Sequence, residues 1–188
     1  MIFTIPNFIS AIRIAAVPLF LWLLFGRDDP AAAGWLFGVL GATDWVDGWL
    51  ARRLNQVSEL GKVLDPIGDR LAVAAAVVGG WISGALPWPI ALALVVRETI
   101  VSLGALWTAW RIGARIDVRF VGKAATMGVY IAVANFLIYA GTDNAFFGTV
   151  AWTFIIPGLI LYYVVAFQYV GDVRRAAAAP PASSVSSD

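Results

Sequence analysis

Four aspartates at fixed spacings make one stretch of this chain chemically distinctive. Asp44 and Asp47 are three residues apart, and Asp65 and Asp69 are four apart, within DWVDGWLARRLNQVSELGKVLDPIGDR. The chain has no His and no Cys, so disulfides and thiolate metal sites are excluded and a metal ligand or general base must come chiefly from Asp or Glu. Spacings of three and four put both members of each pair on one face of a helix. A connection of about ten residues makes the two helices antiparallel neighbours, so the four carboxylates can converge. Helix dipoles do not explain the set: Asp65 and Asp69 gain a little at a helix start, but Asp44 and Asp47 sit near a C-terminus, which repels anions. Hard divalent cations do explain it, because Mg²⁺ prefers oxygen and is usually held by carboxylates together with substrate phosphates. Two such ions balance four negative charges and leave a site receptive to a pyrophosphate. Ion pairing with nearby Arg and Lys at a solvated loop edge would account for any one of these residues, but poorly for all four at this spacing.

The residues between the aspartates fit the same chemistry. Gly48 removes a side chain beside Asp47 where a nucleotide could approach the backbone, Ala51 lies one turn further along the same face, and Gly61 suits close approach or positive φ in the connection. Arg52 can neutralise phosphate through paired N–H donors.

The elements that must position these groups belong in lipid. Of the 188 residues, 61% are hydrophobic and 13% charged, against about 25% charged in soluble domains. The net charge of +1 suggests no nucleic-acid partner. A spanning helix needs roughly 20 apolar residues, and six segments qualify: Ile9–Phe25, Ala31–Leu54, Asp69–Ser83, Pro87–Trp110, Lys123–Tyr139 and Phe147–Tyr169. Ile5-Pro6-Asn7 is expected to begin a short interfacial helix leading into the first span. A cleaved signal peptide is disfavoured, since no positive charge precedes the first apolar run and Arg13 sits inside it. The fold expected is an all-α integral membrane protein, a six-transmembrane-helix bundle over residues 1–175 with a disordered cytoplasmic tail at 176–188. Arg13, Arg52, Arg53, Lys62, Arg70, Arg111, Arg115, Arg119, Lys123, Arg174 and Arg175 fall on one side and Arg27 on the other, with Arg97 left inside a span. The positive-inside bias then puts both termini and the acidic cluster on the cytoplasmic face of the cell membrane.

The acidic stretch resembles the signature of the CDP-alcohol phosphatidyltransferase family, D-x2-D-G-x2-A-R-x8-G-x3-D-x3-D, and matches at every fixed position: Asp44, Asp47, Gly48, Ala51, Arg52, Gly61, Asp65 and Asp69. The resemblance implies two divalent ions, Mg²⁺ or Mn²⁺, on the four aspartates, and CDP-diacylglycerol with its cytidine diphosphate near Gly48, Ala51, Arg52 and Gly61. It further implies Asp69 as the general base for an acceptor hydroxyl, CMP as the leaving group, and a homodimer.

The flanks are similar to the branch containing phosphatidylglycerophosphate synthases and CMP-forming cardiolipin synthases, through Ile5-Pro6-Asn7, Thr43-Asp44-Trp45, Asn55-Gln56 and Arg97-Glu98. A Gly-Lys-x-Lys-Thr segment of that branch reads Gly122-Lys123-Ala124-Ala125-Thr126 here, without the second Lys. Glycerol 3-phosphate is the first expected acceptor and phosphatidylglycerol the second. A phosphorylated acceptor needs cations near the metals, and Arg97, Arg115 and Lys123 are the candidates. Arg97 stands out because an ionisable residue inside a span is functional by default. Glu98 follows it but projects about 100° around the helix, so the sequence alone does not assure a pair.

Two other readings compete. An intramembrane prenyltransferase also uses Asp-rich motifs but lacks the Gly-x2-Ala-Arg continuation. A cation transporter would place its carboxylates near the midplane and show repeats or broken helices, neither of which is evident. The Trp residues near span ends, among them Trp35, Trp81, Trp88 and Trp152, are assigned to the interfacial aromatic belts.

Overall fold

The computed structural model describes residues 5–54, 61–111 and 120–178, with side chains described at 11–43, 70–104 and 125–168 and at positions 68 and 171. The described residues are helical throughout apart from short turns. The helices are α1 (Ile5–Leu21), α2 (Pro30–Leu54), α3 (Gly61–Ile82), α4 (Trp88–Arg111), α5 (Phe120–Thr142) and α6 (Ala145–Ala178), and a π-helical turn at Trp22–Gly26 follows α1.

The connections are short because their residues cap helices. Asp28 takes a left-handed φ of 52°, and the Asp29 carboxylate accepts the Ala32 N–H at 2.8 Å, which satisfies a free donor at the start of α2. Pro30, which has no N–H to lose, opens that helix. Gly84, at φ +76°, lets the chain turn after α3 while the Leu86 N–H returns to the Gly80 carbonyl at 2.8 Å. Two residues join α5 to α6. Asp143 is at φ 50°, and Asn144 Oδ1 accepts the Phe146 N–H at 3.0 Å.

Small residues let the helices approach closely. An added Cβ at Gly34 on α2 would stand 2.8 Å from the Ala134 carbonyl oxygen on α5, and one at Gly141 would stand 2.5 Å from the Ala31 nitrogen. Phe37 and Tyr130 stack across the same α2–α5 contact with ring centroids 4.8 Å apart. Gly128 and Gly158 bring α5 and α6 together, each near the other's backbone. Without a strong hydrophobic drive inside lipid, such close van der Waals contact is what holds helices together. The buried residues Phe20, Ala72, Ala76 and Val77 occupy the α1–α3 side of the core, and Val133, Leu137, Ala151 and Ile155 the α5–α6 side.

The outer surface is apolar. Phe167, Ile82, Phe146 and Trp88 are exposed, on a scale that soluble monomers avoid. Among the described residues two stretches are long and apolar enough to cross a membrane, Ala125–Thr142 and Ala145–Gln168, with mean hydropathies of 1.4 and 2.0. Shorter apolar helical stretches run over Ala11–Gly26, Pro30–Thr43 and Arg70–Ile82.

Three boundaries differ from the sequence reading. α1 runs unbroken from Ile5, so within the described residues no break sets off an interfacial piece. α3 starts at Gly61 rather than Asp69, because its polar first two turns conceal the helix from a hydropathy scan. α6 continues to Ala178, through arginines and alanines of high helix propensity; the remainder of the tail lies outside the described residues.

The α2–α5 contact should be intolerant of volume. Gly34→Val is expected to cost ~1–3 kcal/mol through overpacking and to lower the thermal midpoint of the detergent-solubilised protein. Gly171→Ala, where an added Cβ meets nothing within 4 Å, should leave the midpoint unchanged or raise it. Equal midpoints for the two variants would contradict the close approach.

Candidate active site

The acidic residues lie on two helices. Asp44, Asp47, Gly48, Ala51 and Arg52 fall in the C-terminal half of α2. Gly61 begins α3, and Asp65 and Asp69 are its fifth and ninth residues. That placement corrects the dipole argument: a dipole acts within the first turn, and the first turn of α3 holds no acidic residue. The connection is also shorter than the ten residues expected, since only positions 55–60 separate the two helices. The side chains of all four aspartates and of Arg52 lie outside those described, as does Arg115 altogether. Lys123 is the fourth residue of α5, and its side chain too lies outside.

Among the described residues α2 and α3 are joined through α1, which packs against both, rather than by the direct neighbour contact expected from the short connection. Leu40 of α2, Ala72 and Ala75 of α3, and Ala16, Val17 and Phe20 of α1 line one apolar crevice. Leu40 is one turn before Asp44, and Ala72 is one turn after Asp69. The turns adjoining the two aspartate pairs therefore face a shared space, with α1 as its third wall. Among the described residues there is no group of three or more Asp, Glu, His or Cys able to hold a metal.

Beside α3, helix α4 carries a charged network. Arg97 is buried, and its Nη1 donates to Glu98 Oε2 at 2.9 Å. The pair that the 100° separation left unassured does form. Tyr162 of α6 donates its hydroxyl to the same Oε2 at 3.0 Å, and its ring lies under the Arg97 guanidinium, 3.5 Å from the ring centroid to Cζ. Such cation–π stacking is worth more when the cation is shielded from water. Nε of Arg97 is buried without a partner. On the α3 side, Arg70 Nη1 donates to Ser102 Oγ at 3.0 Å, while its Nε faces Glu98 Oε1 at 3.9 Å. Tyr163 fastens α6 to α4 by donating to the Ala93 carbonyl at 2.8 Å.

Sequence reading singles out Arg97 with Glu98 beside it and misses Tyr162 and Arg70. Arg70 was counted only as one cytoplasmic cation, yet it follows Asp69 directly and ties that turn of α3 to α4. Tyr162 lies 64 residues from Glu98, and no spacing rule links them. Arg97 sits five residues before Ser102, so it lies about 7 Å deeper along the axis of α4. The arginine is thus placed one to two turns from the level at which Asp69 sits on α3.

Comparison with known proteins identifies the family. Residues 3–169 match the family model described as CDP-alcohol phosphatidyltransferase. The chain is similar to the CMP-forming cardiolipin synthase of Streptomyces coelicolor, 39% identical over 186 residues that cover 93% of this chain and 84% of the relative. It is also similar to the CDP-diacylglycerol–glycerol-3-phosphate 3-phosphatidyltransferase of Escherichia coli K12, 31% identical over 183 residues that cover 92% of this chain and 96% of the relative. An acidic signature matched at every fixed position, an all-helical apolar framework and a family match over nearly the whole chain converge: this membrane protein is an enzyme of the CDP-alcohol phosphatidyltransferase family.

Proposed function

We propose that this chain transfers the phosphatidyl group of CDP-diacylglycerol to a hydroxyl of a glycerol-phosphate acceptor and releases CMP. The observation that carries the reading is the eight-residue signature from Asp44 to Asp69, lying on two helices whose adjoining turns line one crevice. The donor set suits a divalent metal pair: it consists of carboxylate oxygens only, and hard cations such as Mg²⁺ take such ligands. Asp44, Asp47, Asp65 and Asp69 would hold the ions, which when bound would polarise the pyrophosphate and stabilise the leaving CMP.

The chain's own residues supply the rest. Gly48, Ala51 and Gly61 leave room for the cytidine diphosphate, and Arg52 meets its phosphate. Asp69 takes the proton from the acceptor hydroxyl, for which it must come within hydrogen-bond reach. The acceptor oxygen bonds to the phosphorus that carries diacylglycerol, the P–O bond to CMP breaks, and inversion at phosphorus follows from in-line displacement. Arg97, Arg115 and Lys123 bind the acceptor's phosphate. In this reading six spans place the aspartate end of the bundle and both termini in the cytoplasm, and two copies of the chain assemble as a dimer.

Phosphatidylglycerol is the acceptor favoured by two observations, the higher identity to a cardiolipin synthase and the absence of a second Lys after Lys123. Glycerol 3-phosphate, placed first on the flanking motifs, is the second reading and is supported by the similarity to the Escherichia coli enzyme. Both acceptors present a phosphate attached to glycerol, and the cationic residues serve either.

Purified protein in mixed micelles with CDP-diacylglycerol and Mg²⁺ should release CMP only when an acceptor is present, and Asp69→Asn should abolish release while the protein still inserts and folds. Turnover near the parent level in that variant would remove Asp69 from the chemistry. Each acceptor offered separately, with the lipid product identified by mass, should yield cardiolipin from phosphatidylglycerol. Arg97→Ala and Lys123→Ala should each raise the acceptor KM about tenfold or more, the loss expected for one charge-assisted hydrogen bond, and an unchanged KM would exclude them from the acceptor site.

A further inference from the structure

The charged network on α4 contains more than acceptor binding requires. Glu98 puts a full negative charge directly on the arginine that is to hold an anion, which by itself weakens anion binding. Its Oε2 accepts from Arg97 at 2.9 Å and from Tyr162 at 3.0 Å, and its Oε1 faces Arg70 at 3.9 Å. Arg97 is held on one edge by that carboxylate and on one face by the Tyr162 ring at 3.5 Å. Its side chain is 9% exposed, and its Nε remains a buried donor with no partner. A buried N–H left unpaired is costly, whereas a guanidinium fixed on one edge and one face has lost its freedom to turn. The three residues form a closed triangle across α4 and α6 that fixes the orientation of the Arg97 guanidinium.

We infer that Glu98 and Tyr162 are positioning residues for acceptor recognition: they clamp the Arg97 guanidinium so that its unpartnered Nε edge is reserved for a phosphate oxygen of the acceptor. The same carboxylate faces Arg70, which donates to Ser102 at 3.0 Å and follows Asp69 on α3. The clamp therefore lies beside the turn that carries the proposed base. The negative charge beside Arg97 lowers raw attraction for anions and gives direction in exchange, because a guanidinium held in one orientation aims its unspent Nε donor one way only. This inference rests on the reading of Arg97 as an acceptor ligand.

Two substitutions separate the clamp from general stability. Tyr162→Phe keeps the ring under the guanidinium and removes only the hydroxyl that holds Glu98. Glu98→Gln keeps an oxygen facing Arg97 and Tyr162 but removes the charge. Steady-state kinetics with phosphatidylglycerol and with glycerol 3-phosphate, at saturating CDP-diacylglycerol and Mg²⁺, should show the acceptor KM raised about tenfold in Glu98→Gln and several-fold in Tyr162→Phe, as for loss of one hydrogen bond to a charged group. The KM for CDP-diacylglycerol, and kcat at saturating acceptor, should stay within about twofold of the parent for a group that supports ground state and transition state alike. Arg97→Lys is measured alongside. An acceptor KM raised in Arg97→Lys but unchanged in the other two would overturn the clamp and leave Arg97 as a ligand. No change in any of the three would remove Arg97 from the acceptor site and the clamp with it. Equal increases in both substrates' KM values would show a structural role only and also overturn the inference.

Discussion

A charge placed inside a helix bundle surrounded by lipid must be met by protein, because water is not available to meet it. That constraint governs where this chain puts its ionisable groups. Arg13 and Arg97 are the buried charged side chains of the described core. Arg97 is stabilised by an adjacent carboxylate, by an aromatic face, and by a second helix that carries that face. The benefit of each contact depends on low dielectric, and so does the penalty if one is removed. The network consequently joins α3, α4 and α6 at the level where the chemistry is proposed, and it does so with directional bonds rather than with packing alone.

The rest of the bundle is built on a different principle. Away from the charged network, helices approach through glycine and alanine: Gly34 and Gly141 at the α2–α5 contact, Gly128 and Gly158 between α5 and α6. The turns at Asp28-Asp29, Gly84 and Asp143-Asn144 are short and capped by their own side chains. This part is a rigid apolar frame. The crevice between α1, α2 and α3 adjoins the turns before Asp44 and after Asp69.

Much of this was legible in the chain before any coordinates. The family was readable because metal and nucleotide chemistry fixes residue types at fixed gaps, and those gaps survive as a local pattern from Asp44 to Asp69. The number and order of the helices followed from apolar runs separated by Gly-, Pro- and Asp-rich turns. Hydropathy failed where polar residues sit inside a helix, which is why α3 starts two turns earlier than its apolar run and why Asp65 and Asp69 are not at its terminus. It also could not reveal long-range partners. Tyr162 looks like one more aromatic in an apolar span, Arg70 like one more cytoplasmic cation, and Glu98 like a residue on the wrong side of its neighbour. Their relation to Arg97 is fixed only when α3, α4 and α6 pack.

The central claim is that the four aspartates of α2 and α3 share a pair of divalent ions. Electron paramagnetic resonance of purified protein titrated with Mn²⁺ in the presence of CDP-diacylglycerol tests it directly. The account predicts two tightly bound Mn²⁺ per chain with a spin-coupled spectrum, and loss of that coupling in Asp44→Asn and in Asp65→Asn. Binding of a single uncoupled ion, or a coupled pair that is indifferent to both substitutions, would contradict it.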